Sequence, residues 1–417
     1  MPLARDTRLA VGLLRKALAT RRARRDLRAA LDARGPLPEG RFRVAVYFAD
    51  GAANMYQMRQ WYAPLQHLAE RWPVVVISRA IRGADALLRD DALPVAYAPT
   101  IADVERVLSE QDIRVVFYVN QNTRNFQMFR YGRRWHVFIY HGESDKMYMT
   151  TNQVTAYDYA FVAGDAARER LSRELWDYDL DRRTFSIGRP QADHYGGEPP
   201  FPPDERTVVL YAPTWEGDRP SARYGSVVTH GESLVAALLA TGRHRVIYRP
   251  HPRSGIVDPA YGAANARIAA ALQAANRADP GAGHVHDTGA EMGWQLTAAD
   301  LAVVDISAMV YDRLAVGKPL LITRPVDPAA VVDEGGYLSA CEWLDAAASG
   351  DIVGHAERVL DDPASGERLA HWVRHYFGDT TPGSATVRFE AAVAELMARW
   401  DTWHAREESR DDTPPSD

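Results

Sequence analysis

A short run of apolar residues, Leu301–Val304, leads into a segment with the signals of a helix start. A continuous apolar run of this length is typical of a parallel strand that is covered on both faces. Ser307 is a good N-cap because its hydroxyl can accept a hydrogen bond from an unpaired N–H of the first helical turn. Gly317 and Pro319 then end the helix. Because open parallel sheets bind anions where a strand meets a helix N-terminus, this stretch predicts an anion site.

Strand and helix patterns of the same kind alternate along most of the chain. Apolar runs that predict strands are separated by helical segments, from Val44–Phe48 to Leu320–Thr323. Such alternation is typical of βαβ units and a parallel sheet. The Pro- and Gly-rich residues 196–203 can continue neither element, and 417 residues exceed the size at which one core keeps growing. The sequence therefore predicts an α/β protein with two Rossmann-like domains, residues 41–195 and 205–380.

The two ends of the chain differ in composition from its body. Residues 1–35 carry a net charge of +7 and the remaining chain −13, which argues against nucleic-acid binding by the body. The helical pattern of residues 1–35 predicts a basic amphipathic arm, which suits an anionic membrane surface. A helix packed on the body with a solvated Arg face is the alternative. At the other end we expect a helix over residues 381–405 and a disordered tail over 406–417.

Polar residues follow one predicted strand in each domain. His141 and Gly142 come directly after the apolar run Val137–Tyr140. A histidine at a strand end titrates near neutral pH and can take a proton from an attacking hydroxyl, while glycine permits close backbone approach. Thr214 and Trp215 follow a strand of the second domain and offer ligand contacts. The alternatives are a histidine that only ends its strand, and a surface turn with a packed Trp.

A basic turn and an acidic stretch follow two further strands of the second domain. Arg249 and His251 alternate with prolines that keep the segment extended, and their N–H donors suit a phosphate. An exposed basic turn is the alternative. Asp305 can bond ligand hydroxyls or hold neighbouring backbone. Asp312 is either a ligand contact or a solvent-facing residue of the helix that Ser307 caps.

The sequence contains no motif for a dinucleotide, P-loop or metal site, and no pattern for a membrane span. The chain has no Gly-x-Gly-x-x-Gly or phosphate-loop pattern, so no dinucleotide or P-loop site is predicted. His284 and His286 have no third ligand at a suitable spacing, and the single Cys341 cannot form an intrachain disulfide. We expect no metal and no cofactor. No apolar run reaches the roughly 20 residues that span a bilayer, and the N-terminus lacks a signal peptide pattern, which together favour a cytoplasmic protein.

The segments that follow the predicted strands occur in the order of one known family. Over roughly residues 130–325 the chain resembles the CDP-glycerol glycerophosphotransferases of teichoic acid and capsule polymer synthesis. The motifs that carry the resemblance are His141-Gly142, Tyr211-Ala212-Pro213-Thr214-Trp215, Arg249-Pro250-His251-Pro252, Asp305-x-Ser307 with Tyr311-Asp312, and Gly317-Lys318-Pro319. Two departures mark a divergent member. Glu143 stands where the family has Thr, and Ala308 stands where it has a second Ser.

The resemblance implies a GT-B-like fold, with an N-terminal acceptor domain and a C-terminal nucleotide-donor domain facing a central cleft. It implies transfer of glycerol phosphate from CDP-glycerol, or a similar CDP-linked donor, to a hydroxyl of a lipid-linked polymer acceptor, with release of CMP. His141, as the base, and His251, beside the diphosphate, are the implied catalytic residues. The implied substrate contacts are Gly142, Thr214, Trp215, Arg249, Asp305, Ser307 and Asp312. The implied location is the inner face of the cell membrane, with residues 1–35 on its anionic surface.

Two other functions fit the same sequence features. A GT-B glycosyltransferase with a nucleotide-linked sugar shares the fold and the phosphate site, and attacks an anomeric carbon instead of a phosphorus. A non-catalytic descendant of the family that binds a nucleotide ligand is the other alternative, and Glu143 and Ala308 are the features that favour it.

Overall fold

The first half of the chain forms a seven-stranded parallel sheet. The computed structural model describes residues 21–143, 151–289, 292–332 and 335–411. The strands are β1 (Val44–Phe48), β2 (Val74–Ser78), β3 (Val95–Tyr97), β4 (Val115–Tyr118), β5 (Trp135–Phe138), β6 (Tyr159–Val162) and β7 (Thr184–Ser186). They lie in the order β3-β2-β1-β4-β5-β6-β7. The carboxyl ends of all these strands therefore point toward the same edge of the sheet.

The second half forms a six-stranded sheet that is also parallel. Its strands are β8 (Thr207–Ala212), β9 (His244–Tyr248), β10 (Val285–His286), β11 (Leu301–Val304), β12 (Leu320–Thr323) and β13 (Trp343–Leu344). They lie in the order β10-β9-β8-β11-β12-β13. The two parallel sheets confirm the prediction of two Rossmann-like domains, and the Pro- and Gly-rich residues 196–203 lie between them.

Helices connect the strands within each sheet. In the first half they are α1 (residues 21–34), α2 (Met55–Arg59), α3 (Tyr62–Ala69), α4 (Ile81–Asp90), α5 (Ile101–Glu110), α6 (Asp165–Glu174), α7 (Leu180–Arg183) and α8 (Pro190–Asp193). In the second half they are α9 (Glu232–Ala240), α10 (Pro259–Ala278), α11 (Trp294–Ala298), α12 (Ala308–Ala315), α13 (Ile352–Asp361), α14 (Pro363–Phe377) and α15 (Ser384–Asp411). Their alternation with parallel strands is the βαβ arrangement that the sequence pattern predicts.

Three helices near the start of the first sheet depart from the sequence pattern. The pattern predicts one helix over residues 55–71, but α2 and α3 are separate. The break has a local cause, because Pro64 has no N–H to donate to Gln60 and its ring crowds that carbonyl. Helix α4 is not predicted, since Gly83 weakens its helical pattern. A Cβ at Gly83 would overlap the carbonyl oxygen of Asp50, so glycine lets α4 cross the loop after β1.

Each sheet has an apolar core on both faces. Along β1, Val44, Val46 and Phe48 join the core on one face, while Ala45 and Tyr47 join the core on the other. The alternation follows from the strand geometry, in which successive side chains point to opposite sides. The second sheet is covered in the same way on its two faces. Burial on both faces explains why the strands are continuous apolar runs.

The terminal helices pack on the first sheet. Helix α15 returns from the second half and places Phe389, Val393 and Leu396 in a core of the first sheet. It continues to Asp411, so residues 406–411, predicted to be part of a disordered tail, are helical, and residues 412–417 lie outside the described residues. In α1, Leu27 is buried on the body. In the described part of the chain, no helix is both long and apolar enough to cross a membrane.

Candidate functional site

His141 lies just beyond the carboxyl end of β5, and its ring is held by the neighbouring strand's backbone. Tyr140 before it has a left-handed backbone with φ of 54°, a strained conformation for a residue with a side chain. Trp61 Nε1 donates to the Tyr140 carbonyl at 2.6 Å, and His141 Nδ1 lies 3.1 Å from the carbonyl oxygen of Val119. Because a carbonyl oxygen only accepts hydrogen bonds, Nδ1 carries the proton and Nε2 keeps its lone pair.

The surroundings of His141 favour its neutral form. Burial lowers the pKa of His141, the hydrogen bond to Val119 raises it less, and the positive charge of Arg189 lowers it further. The edge of the Tyr56 ring contacts the imidazole, with the ring centres 5.8 Å apart. A neutral imidazole with a lone pair on Nε2 is the form that can accept a proton from a hydroxyl.

The residues that follow His141 contact two arginines of the first domain. A Cβ at Gly142 would lie 3.8 Å from Nη1 of Arg189, an ordinary contact. Glu143, where the family pattern has Thr, is buried and forms an ion pair with Arg170 of α6. Its negative charge is therefore compensated within the protein. Neither arginine was singled out by sequence, although Arg189 stands in a Gly-Arg-Pro segment after a strand.

Arg189 joins the two domains through Asp312 of α12. Its Nη2 lies 2.5 Å from Oδ1 of Asp312, and the two side chains are 8% and 17% exposed. Burial opposes the charge of Arg189, but Asp312, Tyr195 and Glu143 together outweigh burial and raise the pKa of the arginine. Asp312 is therefore not a solvent-facing residue of α12, and its role as a ligand contact stays a prediction. Its ion pair joins α12 to the segment after β7, which carries Arg189.

Asp305 is a structural carboxylate of the second domain. It is completely buried, and it accepts hydrogen bonds from the backbone N–H of Thr214 at 2.7 Å, from that of Ser226 at 3.1 Å and from the Thr323 hydroxyl at 2.5 Å. Burial raises its pKa to about 6 although these hydrogen bonds oppose the change. These hydrogen bonds fit the alternative in which Asp305 holds neighbouring backbone, here that of the segment after β8, together with the Thr323 side chain at the end of β12. A ligand contact of Asp305 stays a prediction.

The loops after β8 and β9 are joined by a stack of side chains. The ring of Trp215 lies over that of His251, with centres 6.4 Å apart, and the guanidinium of Arg253 covers Trp215 at 3.7 Å. The backbone N–H of Arg253 donates to Nδ1 of His251 at 3.1 Å. Because Nδ1 accepts this hydrogen bond, neutral His251 carries its proton on Nε2. Burial and the charge of Arg253 lower the pKa of His251.

Glu216 and Asp287 also position the basic turn, and the sequence pattern did not identify either. Glu216 is buried and accepts the backbone N–H groups of Gly255, Val257 and Asp258 at 2.7 to 3.1 Å. Burial disfavours its charge, but these hydrogen bonds prevail and lower its pKa. Arg249 forms an ion pair with Asp287 and donates to the Gly289 carbonyl at 3.0 Å. Arg249 is thus oriented by the protein itself.

Ser307 caps α12 as the sequence predicts. Its hydroxyl accepts the backbone N–H of Met309 at 3.2 Å. Ala308, where the family has a second Ser, is exposed at the first helical position and leaves this cap intact. The N-terminus of α12 lies at the carboxyl edge of the second sheet, about 7.5 Å along the helix axis from Asp312 at the usual rise per residue.

The predicted site residues form two groups. His141 and Gly142 lie beside Arg189. In the second domain Thr214 bonds to Asp305 and Trp215 stacks on His251. Ser307 follows Asp305 by two residues, and Arg249 pairs with Asp287. The Arg189–Asp312 ion pair brings the two edges together. Within the described ranges, no group of three or more His, Cys, Asp or Glu side chains could hold a metal ion.

Two Rossmann-like domains whose strand ends meet across an ion pair define a GT-B-like fold, and solved structures confirm this class. The wall teichoic acid polymerase TagF matches with a TM-score of 0.54 at 12% identity, over 93% of this chain and 98% of that chain. A putative UDP-N-acetylglucosamine 2-epimerase from Listeria monocytogenes matches with a TM-score of 0.53 at 15% identity, over 86% and 98%. The UDP-GlcNAc 2-epimerase from Neisseria meningitidis matches with a TM-score of 0.51 at 12% identity, over 85% and 100%. No family model and no curated protein sequence matches the chain.

Proposed function

We propose that the protein transfers glycerol phosphate from CDP-glycerol, or a similar CDP-linked donor, to an acceptor hydroxyl and releases CMP. The observation that carries this proposal is the pair of opposite tautomers of His141 and His251. One histidine offers a lone pair at the edge of the first sheet, and the other offers an N–H donor at the edge of the second. The family motifs and the fold shared with TagF, for which a variant was soaked with CDPG, favour a CDP-linked donor.

In the proposed reaction the acceptor oxygen attacks the β-phosphorus of the donor. A new O–P bond forms, the bond from this phosphorus to the bridging oxygen breaks, and CMP leaves with the electron pair. Nε2 of His141 takes the proton of the attacking hydroxyl. A positioned general base typically contributes 10²–10⁴-fold, about 3–5 kcal/mol of the barrier.

The leaving phosphate needs donors on the second domain. Nε2–H of His251 and the backbone N–H groups at the start of α12 supply them in this proposal, with Arg249 beside them. A helix N-terminus contributes about 0.3–1 kcal/mol when exposed and up to ~2 kcal/mol when partly buried. The side chains must therefore provide much of the stabilisation, which is stronger in a cleft that excludes water.

A donor screen tests the proposal. We expect CDP-glycerol and CMP to raise the thermal unfolding midpoint, since a ligand present at 100 times its Kd adds about 2.7 kcal/mol. CMP release should require an acceptor, supplied as a mixture of glycosides and polyols. His141→Ala should keep the donor-induced stabilisation and lose about 10²–10⁴-fold in CMP release.

His404→Ala is the matched control, because this histidine lies exposed on α15. It should leave both the stabilisation and the rate unchanged. Stabilisation by UDP-linked sugars instead of CDP-glycerol would favour the glycosyltransferase alternative. Donor binding without turnover under any acceptor condition would favour the non-catalytic alternative, and full activity of His141→Ala would contradict the assignment of the base.

A further inference from the structure

A pocket of about 270 Å³, lined by amide side chains and by the rings of Phe138 and Tyr140, opens beside His141 in the first domain. It lies at the carboxyl edge of the sheet, between the loops that follow β1, β4 and β5. Six of its lining residues matter for its chemistry: Asp50, Asn54, Gln57, Asn120, Asn122 and His141. We call it the amide pocket, because carboxamide side chains dominate its wall.

The amide groups of this pocket are held by a hydrogen-bond network. Asn54 Nδ2 donates to Oδ1 of Asp50 at 2.8 Å. Asn120 Nδ2 donates to Oδ2 of Asp50 at 2.8 Å and to Oε1 of Gln57 at 2.7 Å, while its own Oδ1 accepts the backbone N–H of Asn122. Asp50 thus fixes two amides at once. A network that is already satisfied orients its remaining donors and acceptors before a ligand arrives.

The charge of the amide pocket disfavours an anion. Among the described residues that line it, none is Lys or Arg, and Asp50 carries a negative charge. Phosphate sites in proteins use Arg or Lys donors, and a phosphate close to Asp50 would be repelled. Neutral amides supply both donors and acceptors, the pattern that matches hydroxyl groups. The exposed ring of Tyr56 stands next to His141 and adds an apolar face for a sugar ring.

We propose that the amide pocket binds a neutral group with neighbouring hydroxyls, and that one of these hydroxyls is the nucleophile presented to His141. The proposal rests on the proposed transferase function and names the acceptor end: a sugar ring or a polyol terminus, with no phosphate in the pocket. His141 lines the same pocket, so a bound hydroxyl lies near the base. The charged parts of the acceptor remain outside it.

Binding of small probes to the full chain tests this pocket without any donor. The probes are methyl glucoside, methyl N-acetylglucosaminide, glycerol and glycerol 3-phosphate, measured by saturation-transfer NMR and by titration. We expect the glycosides or glycerol to bind, and glycerol 3-phosphate to bind more weakly than glycerol. Stronger binding of glycosides than of glycerol identifies a sugar ring, and the reverse order identifies a polyol terminus.

Two exposed or half-exposed positions provide variants that should fold. Asn54→Ala should weaken binding of every neutral probe by roughly two- to twelve-fold, the effect of one neutral hydrogen bond. Tyr56→Ala should weaken the glycosides more than glycerol, because it removes the ring face as well as the hydroxyl that accepts from Nε2 of Gln57 at 3.1 Å. Gln273→Ala, an exposed amide on α10, is the matched control and should change nothing.

The outcomes separate this proposal from the transferase function. Tighter binding of glycerol 3-phosphate than of glycerol would overturn the pocket assignment. The pocket assignment would also be wrong if CDP-glycerol stabilises the protein but none of the neutral probes binds. It would likewise be wrong if the probes bind and neither Asn54→Ala nor Tyr56→Ala weakens their binding. If neutral probes bind as expected but no CDP-linked donor does, the amide pocket stands and the proposed donor is wrong.

Discussion

In each of the two site histidines, His141 and His251, a hydrogen bond with the backbone determines which ring nitrogen carries the proton. The backbone group is an acceptor in one case and a donor in the other. A carbonyl oxygen faces Nδ1 of His141, whereas an N–H faces Nδ1 of His251. The free nitrogen is consequently an acceptor in one residue and a donor in the other. Protonation of His251 would cost it the hydrogen bond from Arg253, because a protonated Nδ1 cannot accept. The chemical role of each residue is thus set by the loop that carries it.

The pH dependence of the reaction should report His141. Its neutral form is the base, so the rate falls as pH falls through its pKa. Because burial and Arg189 lower that pKa, kcat/KM should stay high down to a pH below the usual histidine value of about 6.5. The measurement is kcat/KM for the donor from about pH 4.5 to 8, a range that extends to both sides of the unperturbed histidine pKa of about 6.5.

His141→Ala should lose this acidic limb together with most of its rate, and His404→Ala should retain it. If kcat/KM of His141→Ala still falls at the same low pH, the group that titrates is not His141. A limb centred above about pH 7 would contradict a lowered pKa, since the reference value is about 6.5.

Buried carboxylates connect neighbouring elements in the second domain. Asp305 holds the segment after β8 and the Thr323 side chain at the end of β12, and Glu216 holds the turn before α10. Each carboxylate accepts several N–H or O–H groups, which compensates the cost of its burial. These side chains shape the site through the backbone that they hold.

The sequence predicts the strands and Ser307 well because these depend on local patterns. Leu301–Val304 is a buried strand and Ser307 is an N-cap, both as expected. The pattern could not tell which way Asp305 points, since a carboxylate at a strand end looks the same whether it faces a ligand or a backbone. Arg189 was missed because its partner Asp312 lies in the other domain. Such contacts depend on how the domains pack, which local periodicity does not encode.

Helix α1 presents a row of arginines to solvent. Arg21, Arg22, Arg24 and Arg25 are exposed, while Leu27 faces the body and Arg34 bonds to the Val95 carbonyl of β3. Because the buried side of this segment is used within the protein, we propose that it attracts an anionic membrane surface by charge alone. The protein should sediment with vesicles that contain phosphatidylglycerol and not with pure phosphatidylcholine vesicles, and salt should weaken binding.

Replacing Arg21, Arg22, Arg24 and Arg25 with Gln should abolish this binding, since each basic residue near the surface contributes about 1 kcal/mol. Exposed arginines on other elements, Arg82 and Arg277, provide the control. Equal sedimentation of the two sets of variants would contradict a role for α1.

At the scale of the whole molecule, a buried ion pair is one of the contacts between the two halves of the chain, beside the packing of Ala166 of α6 against α12 and α14. Arg189 and Asp312 connect the loop beside His141 to the helix that Ser307 caps. The ion pair therefore helps to set the position of α12 relative to the segment after β7. A charge in such a position is costly unless its partner remains.

Asp312→Asn should destabilise the protein by about 3–5 kcal/mol, because it leaves the buried Arg189 without its counter-charge. The double variant Arg189→Met/Asp312→Leu should recover most of this loss. Denaturant unfolding measures both. The control is Glu232→Gln, which breaks an exposed ion pair with Arg267 and should cost about 0–1 kcal/mol. If Asp312→Asn costs no more than Glu232→Gln, the ion pair does not hold the domains together.

Helix α15 has a consequence for the order in which the chain can finish folding. The first sheet is synthesised early, but Phe389, Val393 and Leu396 complete one of its cores, and they come near the end of the chain. During synthesis that face of the sheet stays open until the second domain has left the ribosome. Of the two domains, the one that is synthesised first is thus the last to close, and its exposed apolar face must avoid aggregation in the interval.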